Sequence, residues 1–302
     1  MLPAMTAKPK VKPRKVMRKP TITIVGPGRL GTALTLALRK AGYRISEIVS
    51  RKSAGSLRRA RDLARQVGAR AANDSTATLD ADLIWFCVPD REIAAVARES
   101  SSQTNWKNRA AFHSSGALPS DELQVLRERG ATVAAVHPLM TFVRGAMPSL
   151  QGVPFAVEGD NPAVRLARRI AHDLGGAGFN IRKQRKAAYH AWGAFTSPLL
   201  VALLVTGEQV ARVAGLSAAE ARQNMMPIVR QTLANYGELG PAGAFSGPLV
   251  RGDAEIIRRH LRTLKHLPAA TEVYLALAKS ALRYLPVKHR TALRKVVEYK
   301  SK

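Results

Sequence analysis

The segment Thr21–Gly31, TITIVGPGRLG, constrains this chain more than any other. A β-branched run leads into Gly26, Gly28 and Gly31, and ALTLALRKAGY continues at helical spacing. Strand, glycine turn and helix in that order give each glycine a mechanical task. Gly26 permits the sharp exit from the strand, Gly28 leaves the backbone open to an approaching phosphate, and Gly31 lets the helix pack close to the strand. The amides of Arg29, Leu30 and Gly31 then open a helix in which they have no partner, and the helix dipole adds positive potential there. The segment is expected to grip the diphosphate of a dinucleotide.

The end of the next strand, Arg44–Ser50, bears on which dinucleotide. An NAD site usually places an acid about 20 residues after the turn, to hold the ribose 2′-hydroxyl. Here the strand ends on Ser50-Arg51-Lys52-Ser53, with no acid. Arg51 can stack on an adenine or pair with a 2′-phosphate, Lys52 adds a second positive charge, and Ser50 can donate a hydrogen bond. NADP is therefore favoured over NAD. Ser53 is placed to cap a helix that runs to about Gly68.

The alternation then continues. Ala69–Ala72 is a short strand, and Asp82–Asp90 carries the near-continuous apolar run of a central parallel strand covered on both faces. Val88 and Pro89 fall at that strand's carboxyl end, where open α/β sheets bind ligands, and Asp90 is expected to cap the helix Arg91–Glu99. Ala110–Phe112 leads into His113-Ser114-Ser115-Gly116, and Pro119–Arg129 is helical. Thr132–Val136 leads into a loop bearing His137-Pro138. Pro154–Val157 (strand), Pro162–Leu174 (helix) and Phe179–Arg182 (extended) complete a doubly wound parallel sheet over residues 21–182. From Lys183 to Lys302 the patterns are helical only. Lys183–Ala214 is one long apolar-faced helix kinked at Pro198. Ser217–Tyr236 follows, with Ser217 and Glu220 spaced as a capping box. Gly237–Gly247 is a loop, and Arg251–Leu264, Pro268–Tyr284 and Pro286–Tyr299 are helices. The class is α/β, a doubly wound sheet followed by an all-α domain.

A length of 302 residues suits two such domains. The formal charge of +27 is unusual and favours anionic partners without bearing on the fold. Residues 1–20 carry seven Lys or Arg, four prolines and no acid, which predicts a disordered arm. Such an arm can contact nucleic acid or simply be solvated. Cys87, the one cysteine, supports neither a disulfide framework nor a cysteine-based metal site, which fits a reducing compartment and a cytoplasmic location. The apolar stretch near Ala191–Val205 is interrupted by Gly193, Thr196, Ser197 and Pro198, too short and too broken for a membrane span.

The residues able to do chemistry follow from this layout. If a nicotinamide cofactor supplies the hydride, the protein must orient a substrate and manage one proton. His137 is the expected general acid/base, since imidazole titrates near neutrality and sits at the ligand-binding edge. Ser115 and His190 are expected to act with it, and His113, Ser114 and Ser197 to bind substrate. Each strand-end histidine has the alternative of a backbone-bonded structural role. Arg251, in the loop GPLVRGD, can clamp an anionic group, or pair with Asp253 instead. His260 reads as structural. No spacing suggests a metal site.

In this order GPGRLGTAL, DLIWFCVPD, FHSSGAL, HPLM, YHA–GAFTSPL and GPLVRGD resemble the Rossmann-like proteins that carry the domain of unknown function 2520. That family resembles a branch of the larger set whose helical C-terminal domain is like that of 6-phosphogluconate dehydrogenase. Relatives in the set include pyrroline-carboxylate reductases, prephenate dehydrogenases and deazaflavin-dependent NADP reductases. The resemblance implies NAD(P) binding and a homodimer formed through the helical domains. By position it is similar to prephenate dehydrogenases at two loops, pointing to Ser115 and His137. The expectation is an NADP-dependent oxidoreductase acting on a small anionic carbonyl, imine or alcohol at the cleft between the domains. The alternatives are a non-catalytic NADP-binding sensor or scaffold, and a polyanion binder using the basic arm.

Overall fold

The computed structural model describes residues 18–146 and 148–298. Residues 1–17, most of the expected basic arm, and Tyr299 lie outside the described residues. The last residues of that arm are held rather than free. Lys19 lies 4.8 Å over the Tyr43 ring and 3.5 Å from Asp173, because a cation over an aromatic face beside a carboxylate is doubly favoured. The chain divides between Gly193 and Ala194 into two compact units. The sheet unit thus extends past residue 182 and takes in the first turns of a helix.

In that unit β1 (Ile22–Val25), α1 (Arg29–Lys40), β2 (Ile45–Ser50), α2 (Ala54–Val67) and β3 (Arg70–Asn73) form the first half. β4 (Leu83–Phe86), α3 (Ile93–Ser100), β5 (Ala110–His113), α4 (Gln124–Arg127) and β6 (Thr132–Pro138) form the second. β7 (Pro154–Gly159), α5 (Asn161–Asp173), β8 (Ala177–Asn180) and the start of α6 (Lys186–Thr196) follow. The eight strands lie in the order β3-β2-β1-β4-β5-β6-β7-β8. Alternation along each strand feeds two cores. Ile22, Ile24, Leu83 and Trp85 pack on one face with Leu34 and Leu38 of α1, while Val25, Ile84 and Phe86 pack on the other with Ile93 and Ala97 of α3. Burying one such aliphatic side chain stabilises by roughly 1.5–3 kcal/mol. Trp85 keeps its indole N–H satisfied by donating to Ser114 Oγ at 2.8 Å.

The sheet is not parallel throughout. β1 to β6 are parallel, but β7 pairs antiparallel with β6, and β8 pairs parallel with β7. Residues 139–153 hold no helix among those described, so nothing carries the chain back across the sheet and the next strand must return alongside. One consequence corrects an expectation about the site. His137 and Pro138 are not in a loop but inside β6, opposite Ala156 and Phe155.

The second unit, from Ala194, is helical: α7 (Pro198–Val213), α8 (Ala218–Ala244), α9 (Pro248–Arg251), α10 (Ala254–Leu264), α11 (Pro268–Tyr284) and α12 (Arg290–Glu298). Ile257, Ala278, Leu282, Leu293 and Val297 form a small core among α10, α11 and α12. α8 runs into the expected loop at Gly237–Gly247 as far as Ala244, broken at Gly240, φ 70° and ψ 179°, after which Pro241 restarts the helix. Lys183–Val213 is by length and composition apolar enough to cross a membrane, with a mean hydropathy of 1.4 in its best window. Its backbone leaves the helix at Ser197, φ −132° and ψ −82°. The pieces on either side, 11 and 16 residues, are shorter than the roughly 20 residues a span needs.

The capping box is complete: Glu220 N–H donates to Ser217 Oγ at 3.2 Å, and Ser217 N–H donates to Glu220 Oε2 at 2.8 Å. Ser217→Ala should lower stability by about 1 kcal/mol in urea denaturation; an unchanged midpoint and slope would show that the start of α8 is held by other contacts.

Candidate functional site

The glycine turn has the geometry its spacing predicts. Gly26 adopts φ 102°, and a Cβ there would lie 2.7 Å from the Cys87 carbonyl oxygen. A Cβ on Gly31 would lie 2.1 Å from the Gly26 carbonyl oxygen, so any side chain would push α1 off the strand. At Gly28 a Cβ would meet nothing within 4 Å. That residue faces open space at the N-terminus of α1, where no acidic side chain occupies the first turn. The turn forms one end of a crevice of about 410 Å³ at the carboxyl ends of β1, β2 and β4. The strand order reverses there, from β2-β1 to β1-β4, the switch point at which such sheets bind ligands.

The same crevice reaches Ser50 and Arg51 at the end of β2, and Val88 and Pro89 after β4. Arg51 makes an exposed ion pair with Glu92 at 3.3 Å, and Lys52 approaches Asp74 at 4.0 Å. Surface pairs of this kind are worth roughly 0–1 kcal/mol, so either cation remains available to a stronger anion. The structure adds Ser56 and Arg59, both lining the crevice, with Arg59 donating to Ser56 Oγ at 3.1 Å. The sequence signal was the spacing: positions 56 and 59 sit one turn apart on α2, just beyond its Ser53 start. Cys87, in the wall, has its thiol pushed up to about 12 by burial, which disfavours the reactive thiolate.

A second group of side chains gathers at the ends of β5 and β6 and on α6. Ser115 Oγ donates to Asp90 Oδ2 at 2.7 Å and accepts from the amides of Ala117 and Leu118. Asp90 therefore does not cap the following helix as expected; it anchors the serine loop. Lys186, buried in the first turn of α6, donates to the Ser115 carbonyl at 2.9 Å. One turn on, the Tyr189 hydroxyl is 2.7 Å from His137 Nδ1, with the two rings edge to face. Phe179 and Trp192 flank the Tyr189 ring. His190 closes the group: a Cβ on Gly116 would meet His190 Cδ2 at 2.9 Å and His137 Nε2 at 3.0 Å. The sequence reading missed Lys186 and Tyr189 as members of this set. Positions 186, 189 and 190 share one helix face, but only the fold reveals what that face meets.

Electrostatics separate the histidines from the expectation of a group titrating near neutrality. Burial first, then the positive charges of Lys186 and His190, hold His137 down to about 4. The Tyr189 phenol is pushed up to about 12 by burial. Both are neutral at physiological pH, joined by one hydrogen bond. His113 is also held to about 4, chiefly by burial. Its Nδ1 accepts the Ser115 amide, so Nε2 carries the hydrogen and donates to the Pro119 carbonyl. With both ring nitrogens bonded inside the core, His113 fills the structural role. Ser114 Oγ accepts the Trp85 indole N–H.

Ser197 and Arg251 belong to the helical unit. Ser197 precedes α7 and makes no side-chain capping bond. Arg251 Nε donates to Asp253 Oδ2 at 2.9 Å, the ion pair weighed as its alternative. His260 pairs with Tyr274 at 3.0 Å.

Sequence comparison matches residues 6–138 to a Rossmann-like domain and residues 153–281 to the domain of unknown function DUF2520. No curated relative matches the sequence. Among solved structures, the chain is similar to the BF3122 protein of Bacteroides fragilis, described as an NADP oxidoreductase (23% identity, TM-score 0.72, 87% of this chain and 97% of that one). It is similar to protein TM1727 of Thermotoga maritima (26% identity, TM-score 0.69, 92% and 98%). It also resembles the reductive aminase of Aspergillus terreus in complex with NADPH and ethyl-5-oxohexanoate (17% identity, TM-score 0.63, 91% and 99%). The chain thus combines a Rossmann-like domain with DUF2520, the pairing that its motifs resemble.

Proposed function

We propose that this protein is an NADP-dependent oxidoreductase that moves a hydride to or from the carbonyl, imine or alcohol carbon of a small substrate. One observation carries the reading: a phosphate-binding turn and a cluster of basic and hydroxyl side chains lie along a single crevice. The amides of Arg29, Leu30 and Gly31 would hold the diphosphate, with Gly26 and Gly28 giving it room. Ser50, Arg51, Lys52, Ser56 and Arg59 would hold the 2′-phosphate, a dianion that recruits guanidinium groups more strongly than the weak pairs they now make. Val88 and Pro89 line the crevice from β4. The bound coenzyme supplies the hydride. The solved structures described above as an NADP oxidoreductase and as an NADPH complex support the same reading.

What the chain's own residues do is orient a substrate and handle one proton. Ser115, His137, His190 and Tyr189 stand closest to that task. His137 holds no surplus proton at neutral pH, so the Tyr189 O–H is the better-placed donor; with His137 as the Nδ1–H tautomer, the ring donates to the phenol oxygen and leaves the phenol proton for a substrate. Arg251 keeps its expected role toward an anionic group only by leaving Asp253. The helical unit exposes Leu199 and Leu203 on one side of α7 and Val201 and Val205 on the other, apolar surface that a second copy of the chain would cover. A cytoplasmic location suits the single thiol.

Calorimetry should detect tight binding of NADPH and much weaker binding of NADH. Arg51→Ala and Arg59→Ala should each erode that preference about tenfold, the scale of one charge-assisted contact. Absence of heat with either coenzyme would end the proposal. In a screen of ketones, aldehydes and cyclic imines for NADPH oxidation, Gly116→Ala should keep coenzyme affinity and lose turnover, because its methyl displaces His137 and His190. Wild-type turnover in that variant would remove both histidines from the reacting site.

A further inference from the structure

Lys186 has no role in the chemistry proposed above, and its surroundings are unusual for a lysine. It is 1% exposed, and among the described residues no other lysine or arginine is buried. A buried ammonium is costly, and a neutral donor would satisfy the Ser115 carbonyl at less expense. Among the described residues no carboxylate lies within ion-pair distance of it. The negative charges that act on it, Glu158 and Asp90, are already engaged. Glu158 accepts from the amide and hydroxyl of Ser120, and Asp90 from Ser115 Oγ.

Ser115 is therefore tied at both ends, by its side chain to Asp90 and by its carbonyl to Lys186. The next residue, Gly116, sits against His137 and His190. One face of α6 makes three successive contacts around this turn: Lys186 on the Ser115 carbonyl, Tyr189 on His137, His190 against Gly116. We propose that Lys186 is a positioning residue whose buried ammonium clamps the Ser115–Gly116 turn against His137 and His190. The same charge adds to burial, the larger cause, in disfavouring a proton on the His137 ring. The inference rests on reading His137 and Tyr189 as the reacting end of the site.

The charged and titratable groups that bear on His137 are Lys186 and His190, with Tyr189 hydrogen-bonded to it. Both charges repel a proton from the ring. Lys186 acts in the same sense on His113, where Asp90 opposes it. Removing the ammonium should therefore move His137 toward its ordinary value, while burial keeps it from arriving there.

The test is an NMR titration of ¹⁵N-histidine-labelled full-length protein without coenzyme. In the wild type, His137 should stay neutral to about pH 4. In Lys186→Met its midpoint should rise, and the Gly116 amide resonance should shift while those of Gly26 and Gly31 stay in place. Lys186→Gln separates the two effects and guards against misfolding: it keeps a donor to Ser115, so Gly116 should hold, but it drops the charge, so His137 should still move. An unchanged His137 midpoint in either folded variant overturns the proposal, as does a wild-type ring that titrates near 6.5. Because no coenzyme is present, failure to bind NADPH would remove the assigned function and leave this result standing, and the reverse also holds.

Discussion

The close approach of Gly31 on α1 to the Gly26 carbonyl sets the position of the elements around the crevice. With 2.1 Å between that oxygen and the place a Cβ would occupy, the helix can sit where it does only because residue 31 has no side chain. That contact aims the N-terminus of α1 along β1 toward the open space over Gly28. The neighbouring strands then have little freedom. β2 and β4 flank β1, β2 with one register shift between Ile22 and Thr23, and Arg51 and Val88, just beyond their ends, fall into one crevice. An open helix N-terminus, a basic end and an apolar wall meet in that crevice because the parallel ladder lines up the carboxyl ends of β1, β2 and β4.

The other end of the sheet obeys a different constraint. Because the described residues of 139–153 carry no crossover helix, β7 folds back on β6 and draws His137 into a paired strand. A histidine on a loop can turn; a histidine in a ladder presents its ring on one face only. The face chosen is the one α6 reaches, so Tyr189 meets Nδ1 and the ring is fixed by two hydrogen-bonded strands and one phenol. The serine loop after β5 gains its order in the same way, from Asp90 on one side and Lys186 on the other.

How much of this is legible in the sequence depends on the range of the interaction that decides it. The turn at Gly26–Gly31 and the basic end at Ser50–Lys52 rest on neighbours a few residues apart, so spacing alone reveals them. The Ser217–Glu220 box is legible for the same reason. The reversal of β7 is not, because periodicity reports that a strand exists and says nothing about its direction. Asp90 reads locally as a helix cap, yet its partner is 25 residues away. Lys186 is harder still. In a chain with 48 Lys and Arg, one more lysine at the start of a helix looks like solvated charge, and its contact to Ser115 spans 71 residues. Arg59 stood between these cases, on the right face of a predicted helix but one of several arginines there.

The chemistry of the site turns on a point that residue identity alone misleads about. Histidines invite the reading of a group that gains and loses protons near neutrality. Here His113 and His137 are both neutral across that range, for related reasons: burial removes the water that would stabilise an imidazolium, and the Lys186 ammonium adds repulsion. A neutral imidazole can still accept one hydrogen bond and donate another, and that is how His113 is used, between the Ser115 amide and the Pro119 carbonyl. His137 has one such partner in Tyr189 and turns its other nitrogen toward Gly116, where no side chain intervenes. The asymmetry between two histidines of the same charge state separates a ring with both nitrogens bonded inside the core from one that turns a nitrogen to the Gly116 backbone.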